Sequence, residues 1–137
     1  MAINLDIVKP EPSRALRAFV YTALALYGFS CFLPAIDVGR IRPEDGPQLG
    51  WHCLFFGWLY FFSGWPAWTA NFVLWAGIRF SLHGRPRSGL TCGVAATLLA
   101  LTGPWLLGHM LIGYYFWQAS FVVFALGASV KYWYRKA

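Results

Sequence analysis

WHCLFFGWLYFFSGWPAWTANFVLWAGIRFSL, residues 51–82, is the stretch on which the architecture turns. It is apolar for about 30 residues, whereas about 20 suffice to cross a bilayer. Ser63-Gly64-Trp65-Pro66 interrupts its middle, and Pro66 lacks the N–H that a helix interior needs. Three arrangements fit: one long kinked or tilted helix, an outer half-helix followed by a bend and an inner segment, or two closely spaced spans. Two full spans would set Arg79, Arg85 and Arg87 on the far side from the other basic clusters. A single crossing, broken near Pro66, keeps all the clusters on one side and is the expected arrangement.

Those clusters are Lys9/Arg14/Arg17, Arg79/Arg85/Arg87 and Lys131/Arg135/Lys136, nine of the eleven basic residues. Long apolar runs separate them. Arg40 and Arg42 fall elsewhere, in a loop that also holds Asp37, Glu44 and Asp45. Basic residues gather on the cytoplasmic side of polytopic membrane proteins. The expected fold is therefore an all-α, integral membrane four-helix bundle with both termini in the cytoplasm. It forms one domain over residues 1–137, with a tail over 1–14 and spans over about 15–36, 51–82, 88–106 and 113–134. The tail is polar, with Pro10 and Pro12, and does not read as a cleavable signal. Pro34 closes the first span. Residues 37–50, with two prolines and three glycines, read as an irregular outer loop.

Composition agrees. The chain is 58% apolar, 20% aromatic and 12% charged, against about 25% charged in soluble domains. So small a protein has too little interior to hide that much apolar surface from water. The net charge of +6 flanks apolar spans and forms no continuous stripe, which argues against nucleic acid.

Two kinds of packing face are legible. Gly89, Gly93, Ala96, Ala100 and Gly103 lie on one stripe of the third span, at spacings of four, three, four and three. Gly113, Ser120 and Gly127 recur every seven residues on the fourth. Small stripes let membrane helices approach closely, and the simplest arrangement packs the third span on the fourth. The alternative directs one stripe at another subunit.

Segment 51–82 is aromatic instead: Trp51, Trp58 and Trp65 are seven apart, as are Trp68 and Trp75. Headgroup-level anchoring accounts for Trp51, Trp105, Tyr114, Tyr115, Trp117, Tyr132, Trp133 and Tyr134. It leaves Trp58, Trp65, Trp68 and Trp75, which lie deeper. A buried indole N–H needs a partner. The deep tryptophans are thus either core residues bonded to the helix break, near Ser63, Thr69 and Asn71, or a flat contact for a partner membrane protein. An apolar ligand such as a quinone, pigment or lipid is the remaining use.

Catalytic chemistry is not legible. No Asp, Glu, Lys or Arg sits near mid-bilayer, where pumps and coupled carriers usually keep one. A pore lined by Ser63, Thr69, Asn71 and Gln118 is compatible with that. His52 and His109 share the outer side and are candidate ligands for a metal, haem or chlorophyll, but no HxxxH, HExxH or Cys-rich spacing supports a site. Cys31 and Cys53 both fall near the outer face, where an oxidising compartment would allow a disulfide; Cys92 lies towards the inner side. No nucleophile–base set, paired carboxylates or phosphate-cradling loop is present.

LPAIDV at 33–38, the GW…FFGWL at 50–59, AWTAN at 67–71 and YYFWQAS at 114–120 resemble uncharacterised small bacterial membrane proteins of four predicted spans. The resemblance covers most of the chain and implies a bacterial inner-membrane origin; it carries no activity. The expectation is a non-catalytic accessory or assembly subunit of a larger bacterial inner-membrane complex, photosynthetic or respiratory. It would contact lipid and other integral membrane subunits, or its own copies, and no nucleic acid. The alternatives are a self-assembling channel or solute pathway, and a haem- or pigment-binding membrane protein. No cofactor is expected to be resident.

Overall fold

The computed structural model describes residues 14–37, 46–61, 66–103 and 109–134. The chain is mostly helical. Its elements are α1 (Arg14–Cys31), β1 (Pro34–Asp37), β2 (Pro47–Leu49), α2 (Gly50–Phe61), a 3-10 turn (Pro66–Thr69), α3 (Ala70–Leu82), α4 (Pro86–Ala100) and α5 (Ile112–Tyr134). Among the described residues no helix is long and apolar enough to cross a membrane. The tail before Arg14, Ser63, Trp65, Trp105 and the basic residues Lys9, Arg40, Arg42, Arg135 and Lys136 lie outside the described residues.

α1 stops at Cys31, earlier than the expected Ile36. Phe32 and Leu33 donate back to the carbonyls of Phe29 and Ser30, tightening the last turn, and Pro34 cannot continue the helix. The chain turns extended instead. Pro34, Ile36 and Asp37 pair antiparallel with Leu49, Gln48 and Pro47, so two short strands occupy the ends of what reads as an irregular loop. A second tie crosses the other edge of β1: Leu111 N–H donates to Ala35 O at 2.9 Å and Asp37 N–H to His109 O at 3.1 Å. One extended segment thus joins the α1–α2 connection to the α4–α5 connection. Periodicity could not reveal this second tie, because its hydrogen bonds join residues more than seventy positions apart.

Between α3 and α4 the chain reverses tightly. Arg85 N–H reaches back to Phe80 O at 2.9 Å and Gly84 N–H to Ser81 O at 3.3 Å, the paired bonds of a Schellman cap. Gly84 takes φ 78° there, which glycine adopts without steric cost. Pro86 then opens α4, where its missing N–H costs nothing.

The helices run antiparallel along their contacts. Phe19 of α1 lies against Gly127 of α5, while Leu33 and Pro34 just beyond α1 lie against Gly113. Gly93 of α4 lies against Ala125, and Gly89 against Ser81 and Gly77 of α3. Arg14, Arg17, Arg79, Arg85, Arg87 and Lys131 therefore gather at one end of the bundle, and the strand cap lies at the other. The core between them holds Leu16, Val20, Leu74, Ala96, Phe121 and Phe124, all at or near full burial.

The small stripe of α4 is shared between two neighbours. Gly89 faces α3, and Gly93 faces α5. Ala96 and Ala100 are fully buried, and Gly103, beyond the end of α4, faces Tyr114. On α5, Ser120 is fully buried and bonds back to Trp117 O, whereas Gly113 and Gly127 meet the α1 side. The simple pairing of the third span with the fourth is corrected in this respect: α5 sits between α1 and α4 and offers small residues to both.

Candidate functional site: an apolar cavity floored by Asn71

The break between α2 and α3 builds the only elaborate polar cluster among the described residues. Thr69 Oγ1 donates to Pro66 O at 2.5 Å, using a carbonyl that the interrupted helix leaves open. Asn71 follows at the start of α3. Its Nδ2 donates to Trp68 O at 3.0 Å. Its Oδ1 accepts from Tyr27 Oη of α1 and Trp117 Nε1 of α5, each at 2.9 Å. An indole N–H can only donate, so this bond fixes which way the Asn71 amide faces. Asn71 is 5% exposed, and one amide ties three helices together.

Trp68 spans the break in the other direction. Its Nε1 donates to Leu54 O of α2 at 2.8 Å. Gly57 makes that placement feasible, since any Cβ there would collide with the indole. Trp75 meets Tyr27 edge-on, with ring centroids 6.1 Å apart at 74°, and is half exposed. Trp58 lies on α2 with 45% of its surface exposed. Of the four deep tryptophans, Trp68 is bonded to the break, Trp58 and Trp75 present rings outward, and Trp65 lies outside the described residues.

Above Asn71 the elements stand apart. They leave a partly enclosed cavity of about 110 Å³ between α1, β1, α2, the 3-10 turn and α5. Its lining includes the small residues Ala35, Gly57, Ala67, Gly103 and Gly113. Tyr27, Asn71 and Trp117 lie on its wall, and among the described residues no Lys, Arg, His, Asp or Glu does. Tyr114 closes one side, with its hydroxyl donating to Ala100 O at 2.7 Å.

Cys31 and Cys53 both line this cavity, and all three cysteines are free thiols. The histidines are placed differently. The His52 ring lies tilted against Trp51, with centroids 3.7 Å apart at 49°, while His109 contributes its backbone carbonyl to the strand cap. Among the described residues no group of three or more His, Cys, Asp or Glu is placed to hold a metal ion.

Sequence reasoning missed Tyr27, Tyr114 and Trp117 as site residues. Tyr114 and Trp117 read as headgroup anchors because both occur near the start of a span. The available signal was Asn71: a buried amide offers two acceptor lone pairs and two donors, so it needs partners from facing helices. In comparisons with known proteins, no protein-family model, no curated protein and no solved structure matches the chain.

Proposed function

We propose that this chain is a non-catalytic, multi-pass subunit of a bacterial inner membrane, with both termini cytoplasmic, that supports assembly of a larger photosynthetic or respiratory complex. The observation that carries this reading is the aromatic face of the broken segment. Phe55 is 67% exposed and Phe72 61%, with Trp58 and Trp75 beside them in sequence on α2 and α3. Lipid, a partner subunit or both must cover such a surface.

Three further features support a membrane setting. α5 is 23 residues long, about 35 Å at 1.5 Å per residue, against a hydrocarbon core of about 30 Å. Its Tyr and Trp residues lower its average apolarity, yet these are the side chains that settle at headgroup level. α2 and α3 follow one another through the 3-10 turn, which suits one crossing in two pieces whose freed carbonyls find side-chain partners. Among the described residues the basic side chains, Arg14, Arg17, Arg79, Arg85, Arg87 and Lys131, share one end of the bundle, as a cytoplasmic face would.

A solute pathway is less well supported. Thr69 and Gln118 spend hydrogen bonds on the carbonyls of Pro66 and Thr97, and Asn71 spends its bonds within the bundle. Aromatic anchors at the centre of an interface commonly carry about 2 kcal/mol or more each. Trp58→Ala combined with Trp75→Ala should therefore release the protein from its complex in gentle detergent while leaving it membrane-inserted. Unchanged co-purification removes the accessory reading, and termini found in opposite compartments remove the topology.

A further inference from the structure

We infer that the reversal between α3 and α4 binds the phosphate of an anionic phospholipid through Arg79 and Arg85, with the acyl chains lying along the outward face of α3. The inference rests on the membrane setting proposed above and names a lipid for that face; it needs no partner subunit.

The reversal brings the two arginines together. They are six positions apart, but the Arg85 N–H bonds to Phe80 O at 2.9 Å, which folds Arg85 back beside the residue that follows Arg79. Both side chains are exposed. Two more cations stand behind them. Lys131 Nζ of α5 donates to Ser81 O at 3.2 Å, and the Arg87 guanidinium lies 5.7 Å from the centre of the Tyr132 ring. Among the described residues the only carboxylate side chain is that of Asp37, in the strand cap at the opposite end. Like charges gathered in this way repel one another, and an anion relieves the repulsion. A guanidinium presents a planar fork of donors that matches phosphate oxygens.

The neighbouring surface selects a lipid over a free phosphate. Phe72, Trp75, Arg79 and Leu82 recur at spacings of three, four and three, so they share one face of α3, and all four are exposed. That face runs apolar through Phe72 and Trp75 and turns positive at Arg79. An amphiphile with a hydrocarbon chain and an anionic headgroup has the same order of apolar and charged parts. Trp133 and Tyr134, exposed at the end of α5, lie at the same end of the bundle, and such rings settle at headgroup level.

The full chain, stripped of lipid in mild detergent, is titrated with phosphatidylglycerol and with phosphatidylcholine of the same chain length, and bound lipid is counted by native mass spectrometry. One basic residue near an anionic surface is worth about fivefold in affinity. Phosphatidylglycerol should therefore bind about 25-fold more tightly than phosphatidylcholine, the product of two such residues. Arg79→Gln combined with Arg85→Gln should remove that preference while the helical circular dichroism stays unchanged. Arg14→Gln combined with Arg17→Gln removes the same charge from the same end, on α1, and should keep most of the preference. Millimolar inorganic phosphate should not displace the lipid. Equal binding of the two lipids, an equal loss from the α1 pair, or displacement by inorganic phosphate overturns the inference. Flotation with phosphatidylcholine vesicles separates it from the membrane reading: a chain that fails to insert removes both, whereas a chain that inserts without distinguishing the lipids removes the lipid site alone.

Discussion

At Gly93 an added methyl group would already crowd Ala125 and Phe124, whereas around Asn71 the same bundle leaves a cavity of about 110 Å³. The two regions use small residues to opposite ends. Towards the basic end, Gly77, Gly89 and Gly93 let α3, α4 and α5 close until backbones and rings touch. Towards the strand cap, Ala35 and Ala67 line a space that no described side chain fills. Cohesion differs accordingly. The first region is held by van der Waals packing of backbones and rings in direct contact. The second is held by a few directed hydrogen bonds, from Tyr27 and Trp117 to Asn71 and from Trp68 to Leu54. A small residue therefore has no fixed meaning: it brings elements together where the facing surface is continuous and opens a hole where the chain is broken.

The largest effect should come from the packed region. Phe124 is fully buried and touches the positions of both Gly77 and Gly93. Phe124→Ala should lower stability by about 3 kcal/mol or more through lost contacts and the cavity left behind, measured by denaturant unfolding in mild detergent. A loss below about 1 kcal/mol would mean that the packed region already resembles the loose one.

Asn71→Leu should cost less, about 2 kcal/mol, because it strands the buried Tyr27 hydroxyl and Trp117 N–H. Here a double-mutant cycle sharpens the contrast. Adding Tyr27→Phe on the Asn71→Leu background should recover part of the loss, since one stranded donor disappears, whereas Tyr27→Phe alone should destabilise. Additive losses would show that the bond between Tyr27 and Asn71 contributes nothing.

The smallest effect belongs to the outer surface of α2. Leu59 is exposed, so Leu59→Ala should shift unfolding by no more than about 0.5 kcal/mol. A loss as large as that of Asn71→Leu would mean that this face is covered in the isolated protein.

Much of the helical layout was legible along the chain. Ser63-Gly64-Trp65-Pro66 marked the interruption that separates α2 from α3. His83-Gly84-Arg85-Pro86 marked the reversal before α4, and the structure gives Gly84 the positive φ that such a turn requires. The stripe from Gly89 to Ala100 is buried as its spacing predicts. The site was far less legible. Asn71 was singled out as a polar residue near the break, but Tyr27 and Trp117, 44 and 46 positions away, carry no local sign that they converge on it. Trp117 occurs where an interfacial anchor is expected, and only its position on α5 opposite Asn71 turns it into a core donor.

Helix periodicity, chain breaks and the grouping of basic residues are properties of neighbouring positions, so the amino-acid order by itself determined a mostly helical chain with one interrupted segment and charge confined to the connections and ends. Which small residue closes a contact, which opens the cavity, and which side chains meet Asn71 depend on the antiparallel registers of α1, α4 and α5. Tertiary packing alone sets those registers, because each is the joint outcome of many weak contacts between distant stretches. The strand cap belongs in part to the same class: β1 finds β2 nearby in the chain, but its second partner lies at Leu111 and His109, and those backbone bonds form only once the helices are in place.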